Sequence, residues 1–264
     1  AMPLSFTLDT VGPLARSAAD CALVMAAIAG PDPLDPTTDG ARWDGTAAQR
    51  SPKNLTIGVP TRFYVDDLEA DVAATLDAAL AAFRDLGARV VKVELPDQTA
   101  VNAAALIVLA VEASSAHAPW LRRRPQDYGA QVRARLENGL AFSGVQYLEA
   151  LRWRGPALAA HLEAIGDVDV VVTPAARFAA PTIAETDVTA GPSADAMIQQ
   201  ITRLMRPINY LGLPALVLPA GWSRGAMPIG VQLIGRPFGD EMLVALGAAF
   251  QAATDHHRRA PKAP

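Results

Sequence analysis

Apolar positions recur along the chain with two distinct periods. Between Leu68 and Leu86, Val72, Leu76, Leu80 and Phe83 return at helical spacing to one face. The runs on either side, Leu55-Thr-Ile-Gly-Val-Pro and Arg89-Val-Val-Lys-Val-Glu-Leu, are short and rich in β-branched residues, and Gly87 separates the helix from the second of them. Together they predict a βαβ unit, hence a right-handed crossover and some parallel pairing. Ahead of this unit, Ser17 and Asp20 form a capping box for Cys21-Ala-Leu-Val-Met-Ala-Ala-Ile-Ala, with Gly30 and Pro31 as the stop. The Pro, Asp and Thr residues from Pro31 to Pro52 read as a surface loop.

The middle third is predominantly helical in pattern. Helices are predicted over Thr99–Ala118, Tyr128–Asn138 and Ser143–Ile165, a helical section spanning 97–166, with a kink or break in the last at Gly155-Pro156. Asp169-Val-Val-Val-Thr-Pro reads as a buried strand, followed by a loop from Ala175 to Pro192 and a helix from Ser193 to Arg206. Ala215–Pro219 and Ile229–Ile234 supply two further strands, and a last helix capped by Asp240 turns Leu243, Leu246 and Phe250 inward. The expected fold class is α/β, a mixed β-sheet flanked by helices. Residues 1–264 would form a single domain or part of one.

Composition narrows the function. With 264 residues and 51% hydrophobic content, the chain can bury a substantial core. A net charge of −4 lacks the basic excess that holds phosphate backbones, so nucleic acid is not an expected partner. One cysteine cannot form an internal disulfide, and no stretch reads as an export signal, which together point to the cytoplasm. The longest apolar run, Ala103 to Val111, ends at Glu112 and reaches about half the ~20 residues that span a bilayer; it reads as a buried helix.

Candidate chemistry within the chain is sparse. No Gly-x-Ser-x-Gly elbow, Gly-x-Gly-x-x-Gly loop or Walker sequence occurs. His117 and His161 fall on predicted helices without a ligand at helical spacing, and His256 and His257 fall in a polar tail beside Arg258 and Arg259, so all four read as structural or solvated and no metal is expected. Cys21 sits among Ala, Leu, Val and Met, the setting of a packing residue rather than a thiolate nucleophile. Ser114 and Ser115 lie inside a helix, away from any strained turn, and read as packing or solvent-facing residues.

The end of the chain carries a more specific signal. Leu211-Gly-Leu-Pro-Ala-Leu-Val-Leu-Pro-Ala-Gly and Met227-Pro-Ile-Gly-Val-Gln-Leu-Ile-Gly-Arg-Pro-Phe-Gly-Asp-Glu resemble the carboxy-terminal third of amidase signature enzymes. The opening Pro3-Leu-Ser-Phe-Thr-Leu-Asp-Thr-Val-Gly-Pro-Leu-Ala-Arg-Ser-Ala-Ala-Asp resembles the family's segment just after the nucleophile. That resemblance implies the C-terminal part of the amidase signature fold, with the catalytic segment expected upstream of residue 1.

Members of the family hydrolyse amide bonds with a Ser, a cis-Ser and a Lys. A neutral lysine draws the nucleophile's proton through the bridging serine, and backbone N–H groups stabilise the oxyanion. Such a lysine stays neutral only when desolvated and tightly hydrogen-bonded. Lys53 lies in a loop, Lys92 at a solvent-facing strand position and Lys262 in the tail, and the Gly/Ser-rich nucleophile stretch is missing, so no catalytic residue is assigned within the chain.

By motif, the substrate pocket would draw on Thr173, Pro174, Asn209, Gly212, Leu213 and Pro214. Gly212 and Pro214 also suit a purely turn-shaping role, and Asn209 is either a backbone-bonding turn residue or a pocket residue. Asp9 and Arg16 read as a salt bridge or loop anchors rather than substrate contacts. Arg177 reads as an exposed loop charge, with pairing to an acidic substrate as the alternative. The resemblance implies no metal or organic cofactor, a small-molecule amide as substrate, and either the missing amino-terminal amidase segment or a homodimer partner. A noncatalytic binding or assembly module, such as a truncated paralogue or part of an amidotransferase-type subunit, is the alternative function.

Overall fold

The computed structural model describes residues 2–35, 38, 43–45, 52–187 and 192–260. It divides into two compact units, one helical (Ala1–Thr10, Leu95–Ala164, Pro181–Gly212) and one built on a sheet (Val11–Glu94, Ile165–Ala180, Leu213–Pro264).

The sheet unit contains β1 (Thr56–Pro60), β2 (Arg89–Val93), β3 (Val170–Pro174), β4 (Ala215–Trp222) and β5 (Pro228–Ile234), in the order β2-β1-β3-β5-β4. The βαβ reading holds: β1 and β2 are parallel, joined by α2 (Ala70–Asp85), and Gly87 takes the left-handed φ of +94° that turns the chain into β2. β3 pairs parallel with β1 and antiparallel with β5, so the sheet is mixed, as expected. α2 turns Val72, Leu76, Leu80 and Phe83 into the core, where Phe83 meets Phe250 of α8 (Asp240–Ala253) with ring centroids 5.0 Å apart. Burying each side chain of this size is worth about 1.5–3 kcal/mol. α1 (Ala18–Ile28) is capped as expected, with Asp20 N–H donating to Ser17 Oγ at 3.0 Å, and the side chain of Gln251 on α8 accepts from Ala18 N–H at 2.8 Å.

The helical unit contains α3 (Gln98–Arg123), α4 (Ala130–Gly139), α5 (Gly144–Ile165), α6 (Pro192–Ile201) and α7 (Arg206–Leu211). Three expectations about these helices are corrected. α5 runs through Pro156 as one helix, which corrects the break, though not the kink, expected there, and α3 continues past Ala118 through Pro119. Both prolines and the residues four positions before them, Arg152 and Ser115, are exposed, so water can take the carbonyl that each ring leaves unpaired. The helix expected from Ser193 to Arg206 stops at Ile201, and a separate short helix starts at Arg206, where Pro207 suits a first turn.

α3 is long and apolar enough to cross a membrane by length and composition alone. Its contacts with α4 and α7 and its buried Glu112 make it the core helix of this unit. The α3–α4 contact is close. A Cβ on Gly139 would lie 1.9 Å from Ser114 Oγ and 2.1 Å from the Ala110 carbonyl oxygen. Ser114 itself lies buried between the carbonyls of Ala110, at 2.7 Å, and Leu136, while Ser115 faces solvent.

Gly139→Ala should therefore destabilise the protein by about 1–3 kcal/mol, since α4 must shift off α3. Gly155→Ala, in mid-helix with nothing within 4 Å of the added Cβ, should stabilise it by about 0.5–1 kcal/mol. Urea denaturation of the two variants beside the parent checks both signs.

Candidate functional site

Two polar constellations stand out, one in each unit. In the sheet unit, the carboxyl end of β3 carries Thr173, fully buried, with Pro174 completing the strand. Thr173 Oγ1 donates to the Pro174 carbonyl at 3.1 Å and accepts from Gln232 Nε2 at 3.3 Å. Gln232 lies directly opposite on β5 and is itself buried.

The loops that leave β1 and β3 are tied to each other at this end. Glu69 N–H donates to the Arg177 carbonyl at 2.9 Å, and the Glu69 carboxylate accepts from Ala179 N–H at 3.1 Å. Arg177 pairs with Asp67 at 3.4 Å and its side chain is only 14% exposed, which corrects the expectation of an exposed loop charge: the tie between the loops folds the guanidinium inward. Within the same β1–α2 loop, Phe63 and Asp67 hold φ values of 64° and 53°, and Phe63 N–H donates to the Asp66 carboxylate at 2.7 Å. Non-glycine residues with such dihedrals persist only where their surroundings over-determine them. Tyr64, fully buried, stacks edge-on against Phe63, and burial raises its phenol pKa.

Leu213 and Pro214 lie at the other end of this sheet. Pro214 precedes Ala215, whose rung across the sheet is Ile234 and Val171, whereas Thr173 shares a rung with Gln232 and Val217. Thr173 and Pro214 are thus three residues apart along the strands and two strands apart across them, about 14 Å from strand rise and spacing. Leu213 is buried, and the Pro214 carbonyl accepts from Gly235 N–H at 2.9 Å.

Asn209 and Gly212 belong to the helical unit. Asn209 lies within α7 rather than in a turn; its side chain is exposed and its carbonyl accepts from Gly212 N–H at 3.1 Å. Gly212 ends α7 in the left-handed conformation, φ 71° and ψ 33°.

The second constellation centres on Glu112 of α3, 2% exposed. Its carboxylate accepts from Ser5 Oγ at 2.5 Å, Thr7 N–H at 3.0 Å, Thr7 Oγ1 at 2.9 Å and Tyr147 hydroxyl at 2.8 Å. Burial alone would raise the pKa of this carboxyl, but the hydrogen bonds outweigh burial and leave it lowered. The Tyr147 phenol is pushed up to about 12, by burial first and then by Glu112. Arg154 extends the network by donating to the Thr7 carbonyl at 2.9 Å, and Asp9 accepts from Leu4 N–H at 2.7 Å and Ser5 N–H at 3.1 Å, which makes Asp9 a loop anchor. Arg16 is exposed.

Among the histidines, His117 Nδ1 lies 2.9 Å from the Tyr128 hydroxyl. His161 on α5 is 1% exposed, with neither ring nitrogen hydrogen-bonded among the described residues, and burial lowers its pKa to about 4. Cys21 is buried as expected, and burial raises its pKa. Lys53 and Lys92 are exposed, and Lys262 lies outside the described residues.

Sequence reasoning did not single out Gln232, Glu112, Tyr147 or the Phe63–Asp67 loop. The available signals were a glutamine inside an apolar strand and a glutamate inside an otherwise apolar helix.

The mixed sheet with flanking helices defines an α/β scaffold, and comparison with known proteins gives its family. The Amidase family model matches residues 1–244, and the chain belongs to that family. It is 33% identical over 280 residues to a glutamyl-tRNA(Gln) amidotransferase subunit of Trichlorobacter lovleyi, covering 96% of this chain and 56% of that protein. It is 32% identical over 263 residues to an amidase of Pseudomonas putida, with 98% and 56% covered. A solved chain from a vestigial protein complex, one bearing on the origins of an s-triazine catabolic enzyme, superposes with a TM-score of 0.83 at 30% identity, over 95% of this chain and 55% of that one. The chain thus spans about half the length of the curated relatives it matches.

The folded pKa of His161 lies below its ordinary value, so the unfolded chain binds the extra proton first, and stability falls as the pH drops from about 6.5 toward 4. His161→Phe should remove about 2–3 kcal/mol of that acid-induced loss, read from urea midpoints at pH 7 and pH 4. Glu112 acts at lower pH: its contribution is complete above the ordinary carboxylate pKa and is lost as the pH falls through its own lower value. Glu112→Gln, which turns a donor toward the Ser5 and Thr7 donors, should cost about 2–3 kcal/mol and speed amide hydrogen exchange over residues 4–9.

Proposed function

We propose that this chain forms the scaffold and part of the substrate pocket of an amidase that hydrolyses a carboxamide C–N bond to a carboxylate and ammonia or an amine. The observation that carries this reading is the match itself: nearly the whole chain aligns, yet with only 56% of each curated relative. In this reading the Ser-cis-Ser-Lys machinery belongs to the part of the fold outside the match, and no residue of this chain takes a proton-transfer role.

Within the pocket portion, Thr173 and Pro174 mark the strand end, the position where open sheets present ligands. Leu213 and Pro214 lead into β4 in the sheet unit, and Asn209 and Gly212 lie at the end of α7 in the helical unit. The partner is the remaining amidase portion, with a small amide as substrate, and the single cysteine accords with a cytoplasmic setting. The similarity to an amidotransferase subunit supports the alternative that the chain serves as an assembly part without activity of its own.

The purified chain alone should release no ammonia from simple aliphatic or aryl amides. Turnover that survives repurification and disappears on substituting one of its own serines would overturn the assignment. Ammonia release that arises only when the complementary amidase portion is supplied would favour the enzyme reading over the assembly module.

A further inference from the structure

We propose that Arg135, Arg203 and Arg206 of the helical unit form a subsite for a carboxylate on an acidic amide substrate, and that the subsite selects an amide with no ammonium group of its own. This deepens the amidase reading and rests on it.

Arg206 is the fixed member of the group. It is half-buried, and three neutral acceptors set the direction of its guanidinium. Nε donates to Thr202 Oγ1 at 3.1 Å, Nη1 to Asn102 Oδ1 on α3 at 3.1 Å, and Nη2 to the Gln199 carbonyl. A guanidinium has five N–H donors, so two remain for a ligand. Among the described residues, no carboxylate is bonded to it. A planar fork already held in place suits the paired contact that a carboxylate makes with arginine.

The other two members add charge around it. Arg135 of α4 and Arg203, between α6 and α7, are half-buried as well. Burial first, and then the charges of Arg135 and Arg203, lower the pKa of Arg206, so the three cations lie within electrostatic reach of one another. Like charges gathered in this way repel, and an anion placed among them converts that repulsion into attraction.

The acidic side chains on α3, α4 and residues 202–211 are Glu112 and Glu137. Both are committed: Glu112 to Ser5, Thr7 and Tyr147, and Glu137 to Arg133 at 3.4 Å. A substrate ammonium would therefore meet three positive neighbours and no uncommitted carboxylate on these elements. That repulsion is what separates a net anion from a zwitterion. The subsite also adjoins a residue already assigned to the proposed pocket. Asn209 lies three positions along α7 from Arg206, so their side chains are neighbours on the helix surface, and Asn209 and Thr202 are exposed.

The test titrates the purified chain with glutaramate, a monoamide that carries one carboxylate and no ammonium, and follows the arginine Nε–H resonances by NMR. Saturable shifts are expected at millimolar concentrations, with glutamine, the zwitterionic counterpart, binding at least tenfold more weakly. Because Arg206 also ties α7 to α3, the variants that decide the matter are Arg135→Gln and Arg203→Gln. Each should weaken glutaramate at least fivefold while the backbone amide spectrum stays that of the parent. Absence of any shift up to roughly 10 mM would overturn the subsite. So would undiminished affinity in both variants, or glutamine binding as tightly as glutaramate. Inorganic phosphate binding more tightly than glutaramate at the same arginines would identify a phosphate site and overturn the carboxylate assignment. Arginine-dependent glutaramate binding, with no ammonia released when the complementary amidase portion is supplied, would uphold the subsite and sink the amidase reading. Ammonia release that is equally fast in the parent and in both variants would do the reverse.

Discussion

The sheet unit depends on β3, the strand at which the sheet changes from parallel to antiparallel. All five of its residues are buried, so both faces are covered, and its continuous Val-Val-Val run is the pattern of such a strand. A slip of one residue would exchange the faces of every side chain, and the register is pinned at the strand's entry from two directions. Asp169 meets Thr56 twice, its carboxylate accepting Thr56 N–H at 2.7 Å and its own N–H donating to the Thr56 carbonyl at 2.9 Å. Arg236, just past β5, donates through Nε to the Val168 carbonyl at 3.1 Å and also reaches the Gly166 carbonyl. With the register set, Thr173 and Gln232 fall opposite each other, and the loops leaving β1 and β3 emerge side by side where Glu69 and Arg177 join them.

Glu112 plays the corresponding part in the helical unit. A buried carboxylate is tolerated only when its lone pairs are satisfied. Here the donors come from a tyrosine on α5 and from a segment more than a hundred residues earlier. The segment is shaped locally by the Asp9 turn and then held at long range by Glu112 and Arg154. Its sequence is one of the family-like stretches, and its conformation is set by a carboxylate in an apolar helix. One buried charge thus orders a stretch of chain with no regular structure of its own.

These dependencies explain what was legible in the sequence. The βαβ unit, the five strands and most helices follow from local periodicity and from punctuation at Gly87, Ser17 and Gly212, where a single residue's conformational preference decides the outcome. The helices whose ends differ from expectation involve prolines, whose effect depends on whether water reaches the unpaired carbonyl, and exposure of a helix face is a tertiary property. Arg177 and Glu112 escape a local reading for a related reason. Their partners are separated from them by 110 and 107 positions, and no window of local sequence contains both members of such a pair. Asn209 shows the converse: the motif around it resembles the family, yet its side chain points to solvent on a short helix.

The polar inventory also bears on what chemistry these side chains are free to do. A nucleophile needs a base within hydrogen-bond reach and donors aimed at the developing oxyanion. The buried hydroxyls of Ser5, Ser114 and Thr173 are committed elsewhere: Ser5 to Glu112, Ser114 to helix carbonyls, and Thr173 to Pro174 and Gln232. His161 is buried with a depressed pKa, a poor proton acceptor near pH 7, and the described lysines are exposed. What the chain builds instead is rigidity, a register-locked strand end with two stitched loops beside it. Such a frame fixes geometry, and proton transfer calls for groups whose pKa values are tuned by a different environment.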